Sequence, residues 1–328
     1  MRKWIKGLSA ALVTSVGFWA TFCSQAVAAW PTKSIRMVVP ASAGSGTDTL
    51  ARAMADRLGS AIGQAIIVDN KPGASGVIGT EAVVRSEPDG YTLLYTNASF
   101  AVMAPAITSK MRYDIVRDLT PIAQVAVGGV ILLVNQKLPA NNLPELIALI
   151  KANPDKYSYG SWGIGSSGHL IMEYLKQQTG MKVAHIPYKT VPQLLTELTS
   201  GVLSIGWADP SSPVPFIKAK SIKALAISGD SRAPAVPELL TMREQGFPFE
   251  AVGWFGMFAP AGTPPAIVAR LHDEVNRIQA TTEMQTLMAR LNFEPPPIAS
   301  IDQFRATISK DLTVWQEIAR KNNIKAEQ

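Results

Sequence analysis

Two short stretches hold the residue types that could do chemistry. "ASAGSGT" supplies Ala41, Ser42, Ala43, Gly44, Ser45, Gly46 and Thr47, and "SWGIGSS" supplies Ser161, Trp162, Gly163, Ile164, Gly165, Ser166 and Ser167. Each follows a short apolar run and leads into a helical pattern. A strand that passes through a loop of small residues into a helix N-terminus leaves backbone N–H groups free, at the positive end of the helix dipole. That arrangement seats an anion. Ser42, Ser45 and Thr47 add hydroxyl donors to the first loop. In the second, Ser166 or Ser167 caps the helix, and the other hydroxyl, with Ser161, is free to face a ligand. Trp162 between glycines reads as a lid or a stacking surface.

Four readings compete for the first loop. A phosphate-binding P-loop needs Gly-Lys-Ser/Thr, but Gly46-Thr47-Asp48 stands there, so that reading fails. A dinucleotide fingerprint lacks its third glycine, since Thr49 follows Gly44-x-Gly46-x-x. Asp69 sits where a ribose-binding acid would, although Asp48 places negative charge where a pyrophosphate would lie. In the structural reading, the glycines turn the chain and Thr47 or Asp48 caps the helix; this is favoured for Asp48. The fourth reading is carboxylate binding by backbone amides and hydroxyls, which needs only a few donors.

No nucleophile with its base is evident. A Gly-x-Ser-x-Gly elbow is absent, and "GIGSSG" has the wrong spacing. The histidines are His169, His185 and His272, none spaced with other ligands as metal sites are. His169, in the first turn of a helix, reads as a capping or packing residue, with a cleft hydrogen-bond donor as the alternative. His185 ends a strand and reads as structural. "PYK" follows that strand, placing Tyr188 and Lys189 at the same edge. Lys189 is either a charge-assisted contact to an anion or an exposed solubilising side chain. No cofactor or metal is expected.

The elements that must position these loops alternate. Apolar runs fall at 35–39, 65–68, 92–95, 130–134, 157–159, 182–186, 202–206 and 223–227, with helical patterns at 48–61, 75–86, 144–152, 168–178 and 191–200. This predicts an α/β fold with mostly parallel sheets and helices on both faces. After "APAGTPP" the pattern becomes three helices without strands, the last with Phe304, Ile308, Leu312, Trp315 and Ile318 on one face. The strand–loop–helix unit at 36–54 recurs at 157–180, so two similar lobes are expected, their loops facing across a cleft.

The 328 residues, 47% of them hydrophobic, suit a two-domain globular protein. A basic "MRKWIK", an apolar "GLSAALVTSVGFWATF" and "AVA" predict a cleavable signal peptide over 1–28 and export to a bacterial periplasm. Cleavage would remove the lone cysteine, Cys23, and with it any disulfide or thiol chemistry. Without Arg2, Lys3 and Lys6 the net charge falls from +6 to +3, with 28 basic residues against 25 acidic. That small excess and the lack of a basic stripe exclude a nucleic-acid footprint.

Seven stretches then carry a resemblance: "WPTKSIRMVVPASAGSGTDTLAR", "VDNKPGASGVIGTEAV", "PDGYTLLYT", "YDIVRDLTPIAQV", "YGSWGIGSSGHL", "HIPYK" and "WFGMFAPAGTPPAIVARLHDEV". In this order they cover essentially the whole mature chain, which resembles the tripartite tricarboxylate transporter receptors, the Bug-type periplasmic solute-binding proteins. The resemblance implies a bilobed type II periplasmic-binding-protein fold. One lobe would comprise 30–125 plus 254–328 and the other 126–253, with crossovers near Val125–Val130 and Ala251–Trp254. It implies capture of a small carboxylate by a monomer and delivery to a membrane permease pair, without catalysis; a sensory role or an enzyme in the same cleft are the alternatives. Carried over, the ligand loops are Ser42 to Thr47 and Ser161 to Ser167, with "TNAS" at 96–99 (Thr96, Asn97, Ser99) as a third. The chain departs from the family pattern at Ala41, where Phe is usual, and at Trp162, where a small or polar residue is usual. It also departs at Thr190, where Gly is usual, and in "WADPSS", where Asp209 is displaced by one position and Ala208, Pro210 and Ser99 become candidates for specificity. Space opened at Ala41 and a face added at Trp162 point to a flat, aromatic mono- or dicarboxylate.

Overall fold

The computed structural model describes residues 30–108, 111–229, 231–247, 253–297, 300–321 and 324–325. The signal peptide expected over 1–28, with Cys23, lies outside the described residues, as do Ala251 and Val252 of the second expected crossover.

The chain begins with β1 (Ile35–Val39), α1 (Gly46–Ile62), β2 (Ile66–Asn70), α2 (Val77–Val84) and β3 (Thr92–Asn97). A π-type turn at Ser99–Met103 runs into α3 (Ala104–Ile107), followed by α4 (Ile115–Asp118) and the long β4 (Leu119–Gly128). The middle of the chain holds β5 (Ile131–Asn135), α5 (Leu143–Ala152), β6 (Ser158–Ser161), α6 (Ser167–Thr179), β7 (Ala184–Pro187) and α7 (Val191–Ser200). It closes with β8 (Ile205–Ala208), α8 (Val214–Lys218) and β9 (Ile222–Ile227). The last part comprises β10 (Gly253–Pro260), α9 (Pro265–Gln279), α10 (Thr282–Arg290) and α11 (Ile301–Lys321).

Two five-stranded sheets result, ordered β2-β1-β3-β10-β4 and β7-β6-β8-β5-β9. Each is mixed, where the alternation predicts mostly parallel pairing. In the first sheet β10 runs antiparallel to both β3 and β4, and in the second β5 runs antiparallel to both β8 and β9. The parallel parts, β2-β1-β3 and β7-β6-β8, carry the strand–loop–helix units, and their carboxyl ends meet at the cleft. The helices sit where periodicity places them because their buried positions recur on one stripe. In α1 that stripe is Leu50, Met54 and Leu58; in α6 it is Leu170, Ile171 and Leu175.

Each sheet has its own apolar core, one built around Met37, Leu50, Tyr95 and Met257 and the other around Leu133, Leu194 and Leu203. A third cluster bridges them, joining Leu94, Val102 and Phe304 to Leu132, Leu170 and Trp207. α11 lays Phe304, Ile308 and Trp315 into this cluster, with Leu312 and Ile318 partly buried beside it. The lobes therefore meet through a continuous apolar interface. Among the described residues no helix is long and apolar enough to cross a membrane.

Candidate functional site

Loop one is organised by its own side chains. Ser45 is the N-cap of α1, its hydroxyl accepting the Asp48 N–H at 3.3 Å; the expected caps, Thr47 and Asp48, lie inside the first turn. Gly44 enters at φ +78°, a left-handed conformation that costs a glycine little. Its N–H donates to the Asp48 carboxylate at 2.9 Å. Burial pushes the Asp48 carboxyl up, but donation from Arg52, Gly44 and Asn70 outweighs it and holds the group below the usual carboxylate range. Asp48 thus occupies an amide that a bound phosphate would need, and Asp69 is flanked by Lys71 at 3.5 Å and Arg36 at 3.9 Å. The dinucleotide reading loses both its donor and its acid.

Loop two repeats this geometry with different chemistry. Ser166 is the N-cap of α6, Gly165 takes φ +82°, and the Gly165 N–H donates to His169 Nδ1 at 3.1 Å. The third helical residue reaches back to the glycine before the cap in both loops, as carboxylate in one and imidazole in the other. His169 stacks on His185, centroids 4.3 Å apart, and His185 on Tyr159 at 4.8 Å. Burial pushes His169 below its ordinary value, and burial with the neighbouring His169 and Lys176 pushes His185 down to about 3. Both rings are neutral struts.

His185 Nε2 is also 2.8 Å from Ser161 Oγ, a serine–histidine contact that 24 residues of separation concealed in the sequence. It makes no nucleophile. Ser161 is fully buried, is also bonded to Gly163 O and Ser166 Oγ, and is not on the cavity wall.

The loops face one cavity of about 1000 Å³ between the lobes. Of the residues singled out from sequence, Ala41, Ser42, Ser45, Thr47, Asn97, Ser99, Trp162, Gly163, Ile164, Ser167, Tyr188, Lys189 and Asp209 line it, as does Pro210. Ala43, Gly44, Gly46, Thr96, Ser161, Gly165, Ser166, His169 and Ala208 do not; Ala43 and Gly44 are exposed on the loop, and the others shape the loops from behind or belong to strand cores. Asn97 holds Thr47, its Nδ2 donating to Oγ1 at 3.1 Å, while its Oδ1 accepts the Phe100 N–H. Asp209 is turned inward on its own loop, accepting from the backbone and hydroxyls of Ser211 and Ser212 at 2.6–3.0 Å. Trp162 is half-buried and packs against apolar residues of both lobes.

The lobes are in contact across this cavity. The Ser99 hydroxyl donates to Ser167 Oγ at 2.8 Å and accepts the Ser167 N–H at 3.1 Å. Ser75 donates to Ile164 O. A Cβ added at Gly46 would stand 2.4 Å from both Asp209 Oδ1 and Ser211 Oγ, so α1 abuts the Asp209 turn. The Gly46 and Thr47 N–H groups in α1 and the Gly168 N–H in α6 have no acceptor among the described residues.

Sequence reasoning passed over the loop Pro72–Ile78, which lines the cavity between β2 and α2. Its signal was "NKPGASG", a third small-residue loop between strand and helix. It also missed Phe100, Met103, Trp254 and Phe255, apolar residues that periodicity assigns to any core. Trp254 is braced from behind by α11, its Nε1 donating to Asp311 at 2.8 Å and its ring meeting Phe304 edge-on at 5.1 Å. Among the described residues no cluster of three or more His, Cys, Asp or Glu could hold a metal.

With this geometry in view, comparison with known proteins is decisive. The profile described as "Tripartite tricarboxylate transporter family receptor" matches residues 50–324. The chain belongs to this family. Protein BugT of Bordetella pertussis is 33% identical over 299 residues, covering 90% of this chain and 91% of BugT. The structure of the periplasmic binding protein BugD superposes with a TM-score of 0.85 at 31% identity, covering 90% of this chain and 99% of BugD. An R. palustris protein solved with adipate superposes with a TM-score of 0.86 at 30% identity, covering 90% of this chain and 99% of that one. This tripartite tricarboxylate transporter receptor is therefore a bilobed periplasmic binding protein, in a class of solute receptors that are not catalysts.

Proposed function

We propose that the receptor closes its lobes, 30–125 plus 254–328 and 126–253, on one small organic acid and hands it to a tripartite tricarboxylate-type permease pair. The observation that carries this reading is the convergence on one cavity of two helix N-termini from opposite lobes. Thr47 and Ser167 line it from the first turns of α1 and α6, the Thr47 amide has no acceptor among the described residues, and the Ser99 and Ser167 hydroxyls join the lobes beside it. A carboxylate matches such a set, because its oxygens accept several N–H and O–H donors without a counter-charge. The relative solved with adipate supports the ligand class.

The finer reading is an aromatic acid. Trp162 gives the cavity a broad aromatic wall, and Ala41 lines it at the position where the family resemblance implies Phe. Stacking on such a face contributes about 1–3 kcal/mol where bases stack on aromatic side chains. Calorimetry of Trp162→Ala against benzoate, terephthalate, succinate and citrate tests this. The aromatic acids should lose roughly tenfold or more and the aliphatic ones little; equal losses across the set remove the aromatic reading. Mass spectrometry of small molecules released from freshly purified protein identifies the acid directly.

A further inference from the structure

The size and lining of the cavity ask for more than a small acid. About 1000 Å³ lies at the top of the ~300–1,000 Å³ range in which proteins bury drug-sized ligands. An acid of four to six carbons that reached the loop amides would leave most of the wall against trapped water. That wall is predominantly apolar beyond the loops: Ile78 and Met111 from one lobe and Trp162 and Ile164 from the other present accessible surface, over buried Phe100, Met103, Trp254 and Phe255.

The charges on the wall narrow the class further. Among the described residues, four ionisable side chains with full charges line the cavity: Glu81, Arg112, Lys189 and Asp209. Asp209 is saturated by Ser211 and Ser212. Glu81 lies between Arg85 and Arg112, the latter 3.8 Å away. Lys189 alone has no ion-pair partner among the described residues. The Thr47 amide with the unpaired Lys189 ammonium matches one carboxylate; Arg112, the other cation on the wall, already shares Glu81 with Arg85, and most of the rest of the wall is apolar. Burying an unpaired charge there would cost far more than its contacts return.

We infer that the ligand is a bulky monocarboxylate: one carboxylate at the loop amides, and a hydrocarbon body of two rings or equivalent filling the cavity beside Ile78, Met111, Trp162 and Ile164. This rests on the carboxylate reading above and specifies what that carboxylate is attached to.

Titration calorimetry of the full chain with benzoate, 2-naphthoate, biphenyl-4-carboxylate, 2-naphthamide, adipate and citrate tests it. Affinity should rise at least tenfold from benzoate to the two-ring acids, which should exceed adipate and citrate. The heat-capacity change should grow more negative along the same series as more apolar surface is buried. The uncharged 2-naphthamide should bind at least tenfold more weakly than 2-naphthoate. If adipate, citrate or benzoate binds and the two-ring acids do not, the inference is overturned while the receptor reading stands. If 2-naphthamide binds as well as 2-naphthoate, the cavity recognises hydrocarbon without a carboxylate and both fail. A receptor that binds none of the acids, shown to be folded by its melting transition, overturns both as well.

Discussion

At the scale of single residues, the two loops show how one geometry is closed by different chemistry. Asp48 and His169 each take the N–H of the glycine ahead of the helix cap, at 2.9 and 3.1 Å. An imidazole can do so only while neutral, so loop two depends on proton uptake in a way loop one does not. For His185 the folded value of about 3 lies below the unfolded value of about 6.5. Between those values the unfolded chain binds a proton that the folded chain refuses, so stability rises with pH across the window. The contribution is complete above pH about 6.5 and is lost progressively down to about 3. Acidifying from about pH 7.5 to about pH 4.5 should cost on the order of a few kcal/mol, and His185→Gln should flatten that dependence. Chemical denaturation at both pH values measures it; parallel slopes for variant and parent would show that the imidazole stack is not what titrates.

At the scale of elements, caps and contacts decide where the helix ends point. Ser45→Ala and Ser166→Ala should each lower stability by about 1 kcal/mol, since each removes the hydroxyl accepting a first-turn amide. Denaturant midpoints that do not move would contradict that role. The segment after α10 acts at longer range. Asn292, buried at φ +58°, donates to Pro210 O at 2.7 Å and accepts the Ala235 N–H, while its neighbour Glu294 pairs with Val127 of β4. Asn292→Gly keeps the backbone conformation but leaves the buried Pro210 carbonyl and the half-buried Ala235 N–H unpaired, for a loss of about 1–3 kcal/mol. Asn292→Ala should lose more, because alanine also strains the left-handed backbone. Equal losses from the two variants would separate stability from backbone conformation here.

Most of the elements could be read from sequence, and the exceptions have physical causes. The strands of the parallel units announce themselves as short apolar runs between Gly-rich loops. β4, "LTPIAQVAVG", and β10, "GWFGMFAP", do not, because proline, glutamine and glycine interrupt them. One interruption is a packing requirement: a Cβ at Gly256 would stand 2.5 Å from the Phe304 ring that α11 presses onto the sheet. These two strands pair with each other at one side of the first sheet, so missing them also hid the antiparallel pairing of that sheet. The candidate site was half visible. Loop amides and hydroxyls have a sequence signature; Phe100, Met103 and Trp254 look like any other core residue until the fold turns them toward the cleft.

At the scale of the whole molecule, closure depends on atoms that approach across the cleft. Gly46 meets the Asp209 turn with no room for a side chain, and that turn is held rigid by four hydrogen bonds. Gly46→Ala should leave each lobe folded, with a melting temperature within a few degrees of the parent, yet keep the lobes apart. Small-angle scattering should show a larger radius of gyration, and carboxylate affinity should fall by roughly tenfold or more. An unchanged radius would mean that the Asp209 turn yields. The loops that meet across this gap have a kinetic consequence as well. Their donors are amides and hydroxyls without formal charge, and Lys189 is the only cation on the wall free of an ion-pair partner among the described residues. Long-range steering of an anion is then weak. Raising ionic strength from about 0.01 to about 1 M, which shortens the Debye length from about 30 to about 3 Å, should change the association rate by only a few-fold.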